Sequence, residues 1–211
     1  MIGEGTPLSR LGAQSVAGVH ACAFFKDKEE EYRVYLPFAQ DCLDCGEKCI
    51  NFLDASHRQE HLRHLARGNV NAEAALASGQ LELRTWDENY LLGGRFDQDD
   101  MLAVIRDQVI DGGGAFPRSR LWADADWYLS GLPGCDQLVE YESRVNTVLG
   151  QARDILVCVY DLPKYSASMV FDILRTHPMV VVGEFLRPNP LYVPPETFLP
   201  EYRHRRVAPR Q

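Results

Sequence analysis

The sequence predicts an α/β fold with three layers, in which a mainly parallel sheet is covered by helices on both faces. Segments typical of strands and of helices alternate along the chain, an order that favours parallel strands joined by crossover helices. The apolar runs Ile155–Val159 and Val180–Val182 do not alternate with polar residues. Such runs are expected of central strands that are buried on both faces.

The predicted strands are compact apolar runs bounded by polar or turn-forming residues. They are Val19–Phe25, Cys49–Asp54, Leu81–Trp86, Arg120–Ala123, Ile155–Tyr160 and Met179–Phe185. We expect the chain after the last strand to be irregular because it is rich in proline.

The predicted helices carry apolar residues at helical spacing and have recognisable ends. They are Lys28–Cys45, a short helix from Ser56, a helix from Asp97 or Gln98 to the glycines at 112–114, Cys135–Ala152 and Ser166–Arg175. Pro37 predicts a kink or a late start in the first of them, because proline lacks the backbone N–H of a helix interior.

The composition is that of one globular domain. The chain has 211 residues, 45% hydrophobic and 25% charged, which is long enough to bury a substantial core. We expect a flexible arm over residues 1–17, one domain over 18–200 and a solvated basic tail over 201–211, the last because of the run Arg203–Arg206.

Charge and hydropathy exclude several classes of protein. The net charge of -8 argues against direct nucleic-acid binding, because phosphates repel an acidic surface. No apolar run is long enough for a membrane span, and the chain does not open with a signal sequence. We therefore expect a cytoplasmic protein whose six cysteines are reduced.

The segment after the first strand lacks a phosphate-binding loop. Parallel α/β domains often bind nucleotides through a glycine-rich loop at this place. Here the segment Lys26–Glu31 contains no glycine and four acidic residues, which would repel a phosphate. A working nucleotide hydrolase is therefore not expected, and a residual nucleotide-binding enzyme remains only as an alternative.

His20, Cys22 and Phe24 lie on one face of the first predicted strand, because side chains alternate along a strand. We expect them near the carboxyl edge of the sheet, where open parallel sheets bind ligands. The alternative is a buried strand with a hydrogen-bonded histidine and an inert cysteine.

Other candidate residues lie further along the chain. Cys158 and Tyr160 share a face of a central strand, and His177 precedes the last strand. The middle third is rich in aromatic residues, including Trp86, Tyr90 and Trp127, which form either core or a pocket wall.

One group of cysteines and histidines has spacing that resembles a metal site. Its residues are Cys42, Cys45, Cys49, His57, His61 and His64. No second CxxC pair completes a tetrahedron, and the third cysteine falls on the next strand. We assign no metal from the sequence, and a metal- or redox-responsive switch stays open as the alternative function.

An ordered set of motifs resembles the MEDS domain, the methanogen/methylotroph sensory domain named after a dichloromethane-responsive regulator. The motifs are His20–Phe25, Trp86–Leu91, Gly94–Asp97, Arg120 with Trp127, Val139–Asn146, Cys158–Asp161, Thr176–Pro178 and Asn189–Pro195. Together they extend over nearly the whole chain.

The resemblance implies a RecA-like scaffold without a phosphate loop, and a non-catalytic role in sensing small hydrocarbon derivatives in prokaryotic signalling. It adds Glu142 to the ligand contacts. It leaves the ligand unassigned and implies no certain cofactor. Any signal would pass in trans to a partner protein of the kinase, regulator or anti-sigma type, and a homodimer is left open.

Overall fold

The protein is described by a computed structural model that covers residues 5–11, 18–109, 114–150 and 152–207. Within these ranges the strands are β1 (Thr6–Pro7), β2 (Val19–Phe25), β3 (Lys48–Leu53), β4 (Leu81–Thr85), β5 (Ser119–Asp124), β6 (Ile155–Asp161), β7 (Met179–Val182) and β8 (Phe185–Pro188). The α-helices are α1 (Lys28–Asp44), α2 (Arg58–Arg67), α3 (Ala72–Ala77), α4 (Gln98–Val104), α5 (Leu138–Leu149), α6 (Ala167–Thr176) and α7 (Pro195–Val207).

The eight strands form a single mixed sheet in the order β1-β8-β7-β2-β6-β5-β3-β4. All neighbours from β7 to β4 are parallel, whereas β8 runs antiparallel to both β7 and β1. The central pair is β2 and β6, which are in register from Val19 opposite Ile155 to Phe25 opposite Asp161. The predicted α/β fold with a mainly parallel sheet is confirmed.

Helices cover both faces of this sheet. Residues of α1, α2 and α3 pack in one core cluster with Val19, Ala21 and Ala23 of β2. Residues of α4, α5 and α6 pack in a second cluster with Cys22 and, partly buried, Phe24. Because strand side chains alternate between faces, His20 also points to the α5 and α6 side.

The start of β2 lies close against the end of α5. The Gly18 N–H donates to Ala152 O at 2.6 Å, and a Cβ at Gly18 would stand only 2.3 Å from Leu149 O. A glycine is therefore needed for this approach, since any side chain would push the two elements apart. The contact sets α5 over the first residues of β2, where His20 is located.

Proline does not interrupt α1. The helix begins at Lys28, where Asp27 accepts a hydrogen bond from Glu30 N, and it continues through Pro37 to Asp44. The predicted late start is therefore wrong, because the N-cap at Asp27 determines the first turn. The glycines expected to end α4 lie partly outside the described residues, and a π-helical turn over Ile105–Val109 follows α4.

Both ends of the chain are more ordered than expected in their described parts. Residues 5–11 of the predicted flexible arm hold β1 and the buried side chains Leu8 and Leu11. Residues 201–207 of the predicted solvated tail belong to α7. That helix is held by Phe198 and Tyr202, which pack against Val139.

The basic residues of α7 are exposed to solvent and also pair with acidic residues of the domain. Arg205 contacts Asp172 at 2.7 Å and Arg206 contacts Asp136 at 2.5 Å. Among the helices of the described ranges, none combines the length and the apolar character that a membrane span requires.

Candidate functional site

Four polar side chains meet in the interior between the sheet and helices α5 and α6. They are His20 of β2, Glu142 of α5, Cys158 of β6 and His177, which follows α6. Each is between 0% and 3% exposed. We call these four residues the buried cluster. Polar groups are rarely buried so completely without partners, so their contacts decide what the cluster does.

The Glu142 carboxylate lies at the centre of the buried cluster. Its Oε2 is 3.2 Å from His20 Nε2 and 3.5 Å from His177 Nε2. Cys158 Sγ is 3.5 Å from both Glu142 Oε2 and His20 Nε2. The two imidazole rings are 4.1 Å apart between their centroids.

A second layer of hydrogen bonds orients both histidines. His20 Nδ1 is 3.0 Å from Asn146 Oδ1, and His177 Nδ1 is 2.8 Å from Ile173 O. The Asn146 amide donates in turn to Thr176 O at 2.8 Å. These contacts leave the Nε2 atom of each ring facing Glu142.

Burial and neighbouring charges shift the pKa values of the cluster in opposite directions. Burial raises the pKa of the Cys158 thiol well above its ordinary range, and the Glu142 charge adds to this. Burial and the nearby His177 lower the pKa of His20. Burial alone would raise the pKa of Glu142, but its interactions with the neighbouring His177 and His20 outweigh that effect and hold the pKa below its usual range. Glu142 is therefore the anion of the buried cluster.

Tyr160 and Phe24 connect the buried cluster to the carboxyl edge of the sheet. Tyr160 lies on the same face of β6 as Cys158, and its hydroxyl donates to Glu142 Oε1 at 2.9 Å. The Phe24 ring stacks on Tyr160 with centroids 5.2 Å apart. The site is thus continuous from Glu142 to the end of β2.

The expected position at the carboxyl edge is wrong for His20 and Cys22. His20 is the second and Cys22 the fourth of the seven residues of β2, and α5 and α6 cover this face. The Cys22 thiol donates to Met179 O at 3.8 Å, and Cys22 is not among the four side chains whose ligand atoms converge. Only Phe24 lies near the end of the strand, as the sequence predicts.

A cavity of about 340 Å³ opens at that edge, above the ends of β2 and β7 and beside the first turns of α1. Its apolar walls are Phe24, Phe25, Val34, Val181 and Phe185. Its charged lining residues are Glu30, Arg33 and Glu184. Its volume falls in the range, roughly 300–1,000 Å³, of small-molecule sites in proteins.

The family-model comparison matches residues 19–178 to MEDS, the methanogen/methylotroph, DcmR sensory domain. The chain belongs to this family. The resemblance stated from the sequence is confirmed, and all four residues of the buried cluster lie within the matched range. No curated protein matches the chain.

Trp86, Tyr90 and Trp127, which the sequence predicts as ligand contacts, are not among the four residues of the buried cluster but pack in the same core as Cys158 and Tyr160. The Tyr90 ring stacks on Trp127 at 5.1 Å and meets Tyr141 edge-on at 6.2 Å. The Trp86 indole donates to Asp124 O at 3.2 Å. This aromatic group contacts α5 at Tyr141, the residue before Glu142, and its role in ligand binding stays a prediction.

The start of α1 in this MEDS domain is occupied by the chain's own side chains. Asp27 accepts from Glu30 N, and Glu30 Oε2 accepts from Lys26 N, both at 2.8 Å. Lys28 is paired with Glu31 at 2.7 Å and with Asp124 at 3.4 Å. The amides and the Lys28 ammonium that would bind a phosphate here already have carboxylate partners.

The alternative metal group predicted from cysteine and histidine spacing does not come together. Cys42 and Cys49 are buried, whereas Cys45 is exposed. His61 is engaged by the hydroxyls of Tyr32 and Tyr35 at 2.8 and 3.3 Å. His64 stacks on Tyr32, and His57 lies in the turn before α2. In the described ranges, the buried cluster is the set of metal-ligating side chains that converges.

Asn146 is a residue of the site that the predicted contacts omit. It lies one helical turn after Glu142 on α5 and touches both His20 and the backbone before His177. The sequence signal for Glu142 and Asn146 is that they form a polar pair at positions i and i+4 of one helix. This pair lies beside the apolar stripe of Leu138, Tyr141 and Val145. A charged residue bordering the buried stripe of a helix requires a buried partner.

Proposed function

We propose that this MEDS domain is a non-catalytic sensor that binds a small, largely apolar molecule in the cavity beside Phe24. The observation that carries the proposal is the continuous contact from this cavity through Phe24 and Tyr160 to Glu142. The scaffold is then a RecA-like one in which the phosphate loop has been replaced by an apolar cavity.

The chemistry of the cavity supports a hydrocarbon derivative as ligand. Three phenylalanines and two valines supply most of its wall, and burial of apolar ligand surface there contributes about 25 cal/mol per Å². The guanidinium of Arg33 can donate to an oxygen or halogen atom of the ligand, and the carboxylates of Glu30 and Glu184 can accept from a ligand hydroxyl group.

A ligand in the cavity would act on the interior through the Phe24 ring. Displacement of that ring changes its stacking on Tyr160, whose hydroxyl is bonded to the buried Glu142. Glu142 lies on α5, so a change in the cavity reaches a helix on the outside of the sheet. A ligand shifts the equilibrium between the original and the displaced position of the Phe24 ring only by as much as its affinities for these two states differ.

Two observations support a non-catalytic role. The start of α1 is closed to phosphates by Asp27 and Glu30. The Cys158 side chain is buried, and a buried cysteine is inert as a nucleophile toward an external substrate. We propose that the signal leaves through a partner protein of the kinase, regulator or anti-sigma type.

The test is a thermal-shift screen of the full chain with short alkanes, haloalkanes, alcohols and ketones. A ligand at 100 times its Kd adds about 2.7 kcal/mol to the free energy of unfolding. For a chain of this size that gain raises Tm by roughly 5–10 °C.

Two variants identify the site of any compound found in the screen. Phe24→Leu removes the aromatic wall and is expected to reduce the Tm shift, whereas Phe171→Leu, on the exposed face of α6, should leave it unchanged. The proposal fails if no compound shifts Tm, or if Phe24→Leu and Phe171→Leu respond identically to an active compound.

A further inference from the structure

The hydrogen bonds around the buried cluster determine which imidazole nitrogens carry protons. Asn146 Nδ2 donates to Ser143 O at 3.0 Å and to Thr176 O at 2.8 Å, so its Oδ1 is the atom that faces His20. An amide oxygen only accepts, and His20 Nδ1 must therefore donate to it. The Nε2 atom of a neutral His20 then carries a lone pair directed at Glu142 Oε2, 3.2 Å away.

His177 repeats this arrangement from the other side. Its Nδ1 is 2.8 Å from the carbonyl of Ile173, which can only accept. Its Nε2 is buried, has no hydrogen-bond partner in the described part of the chain, and lies 3.5 Å from Glu142 Oε2. Two nitrogen lone pairs and a carboxylate oxygen thus face each other in a closed interior, an arrangement that a cation would stabilise.

The spacing of the four candidate donor atoms fits a single ion. Four of the six separations among His20 Nε2, Glu142 Oε2, Cys158 Sγ and His177 Nε2 are 3.2–3.5 Å, and all four atoms lie within 4.8 Å of one another. Bonds of 2.0–2.3 Å to a tetrahedral zinc ion place neighbouring ligand atoms roughly 3.3–3.8 Å apart.

We propose that His20, Glu142, Cys158 and His177 are the four ligands of one divalent transition-metal ion, with zinc favoured. Two imidazoles, one sulfur and one carboxylate are the donors that zinc accepts, whereas magnesium and calcium require mainly oxygen. The dication balances one thiolate and one carboxylate, so the loaded site is neutral. Binding replaces the Cys158 S–H bond by a metal–sulfur bond and releases that proton to solvent.

Four protein ligands complete the coordination of the ion, which makes the site structural and not catalytic. The ion joins β2, β6, α5 and the end of α6 at one point. This inference does not rest on the proposed ligand cavity, because the cavity residues and the four metal ligands are different side chains.

The test uses the full chain without a histidine tag under reducing conditions. Elemental analysis of the purified protein should give about one zinc per chain. Protein stripped by a chelator and loaded with Co²⁺ should show the visible bands of four-coordinate cobalt and a sulfur-to-cobalt charge-transfer band.

Matched cysteine variants assign the sulfur ligand. Cys158→Ser should lose the charge-transfer band, and Asn146→Ala should weaken Co²⁺ binding about 10–100-fold by releasing His20. Cys22→Ser is the control, because Cys22 pairs with Cys158 in register but its thiol faces Met179 O. It should keep both the band and the affinity within about twofold.

If a variant fails to fold, the measurement on the wild-type protein is enough to decide whether the metal site exists. Absence of stoichiometric zinc and of Co²⁺ uptake by folded wild-type protein overturns the metal site, and so does a charge-transfer band that depends on Cys22 and not on Cys158. A ligand-induced Tm shift in metal-free protein would still support the sensor, so the two proposals fail separately.

Discussion

Deleting one hydroxyl group from Tyr160 tests whether Glu142 is held as described. Tyr160→Phe removes the donor that is 2.9 Å from Glu142 Oε1. It keeps the ring, which packs against Phe24 and Tyr165 with centroids 5.2 and 5.4 Å away. The change therefore isolates one hydrogen bond to a buried carboxylate.

The expected loss follows from the charge on the acceptor. A hydrogen bond to a charged group contributes about 1.5–3 kcal/mol, and the Glu142 oxygen is left unpaired in the interior. We expect the free energy of unfolding to fall by about 2 kcal/mol, which lowers Tm by roughly 4–8 °C for a domain of this size. Urea unfolding at pH 7, followed by circular dichroism, measures the difference.

Tyr141→Phe is the matched control. Tyr141 is also buried and lies on α5 directly before Glu142. Its hydroxyl has no hydrogen-bond partner among the described residues. The same deletion there should change the free energy of unfolding by less than about 0.5 kcal/mol, or raise it. Equal losses in the two variants would refute the assignment of Tyr160 as the donor to a charged Glu142.

Three further changes probe other parts of the fold. Burial, with the charge of His64 adding to it, lowers the pKa of His61 from 6.5 to about 4, so its stabilisation is lost as pH falls through that window. His61→Gln should reduce the acid loss between pH 7 and pH 4 by about 3 kcal/mol in urea titrations, and an unchanged pH profile would contradict this. Glu47 pairs with both Arg118 and Arg120, and whereas Arg120 keeps Asp41, Glu47→Gln leaves the buried Arg118 without an acidic partner among the described residues; it should cost about 3–5 kcal/mol, which a loss under 1 kcal/mol would disprove. Gly134→Ala places a Cβ 2.1 Å from a backbone oxygen at a φ of +86°; its Tm should fall by more than that of Gly79→Ala, which meets no atom within 4 Å.

Much of the fold could be predicted from local pattern. The bounds of β2 agree with the apolar run Val19–Phe25, and β6 extends only one residue beyond its prediction. The helix α7 was missed because Pro195 and Pro200 suggest an irregular segment. Pro195 is compatible with a first turn, where its missing N–H costs nothing, and packing of Phe198 against Val139 overrides the second proline.

The last predicted strand is in fact a hairpin. The sequence predicts one strand over Met179–Phe185, but the chain turns at Gly183, whose φ is +61°, and returns as β8. The sequence pattern alone could not distinguish one long strand from a two-stranded hairpin, because valine and phenylalanine favour strands on both sides of the turn.

The site was only partly predictable. The sequence nominates His20, Cys158 and His177, but His20 meets Asn146 and Cys158 across 126 and 138 residues of chain. The close approach of Gly18 to the end of α5 is a tertiary contact that no local pattern encodes. Glu142 entered through the family resemblance, and Asn146 was not nominated as a contact.

Because the cysteines differ in exposure, chemical labelling of their thiols can report how often the interior of the domain becomes exposed to solvent. All six are free, and Cys45 alone is exposed. A maleimide should therefore label one thiol per native chain at once and the other five only as the interior becomes accessible. Mass spectrometry of labelling against time, on metal-free protein, would show the order in which the buried thiols become accessible, and the delay at Cys158 would measure how rarely the interior between β6 and α5 opens.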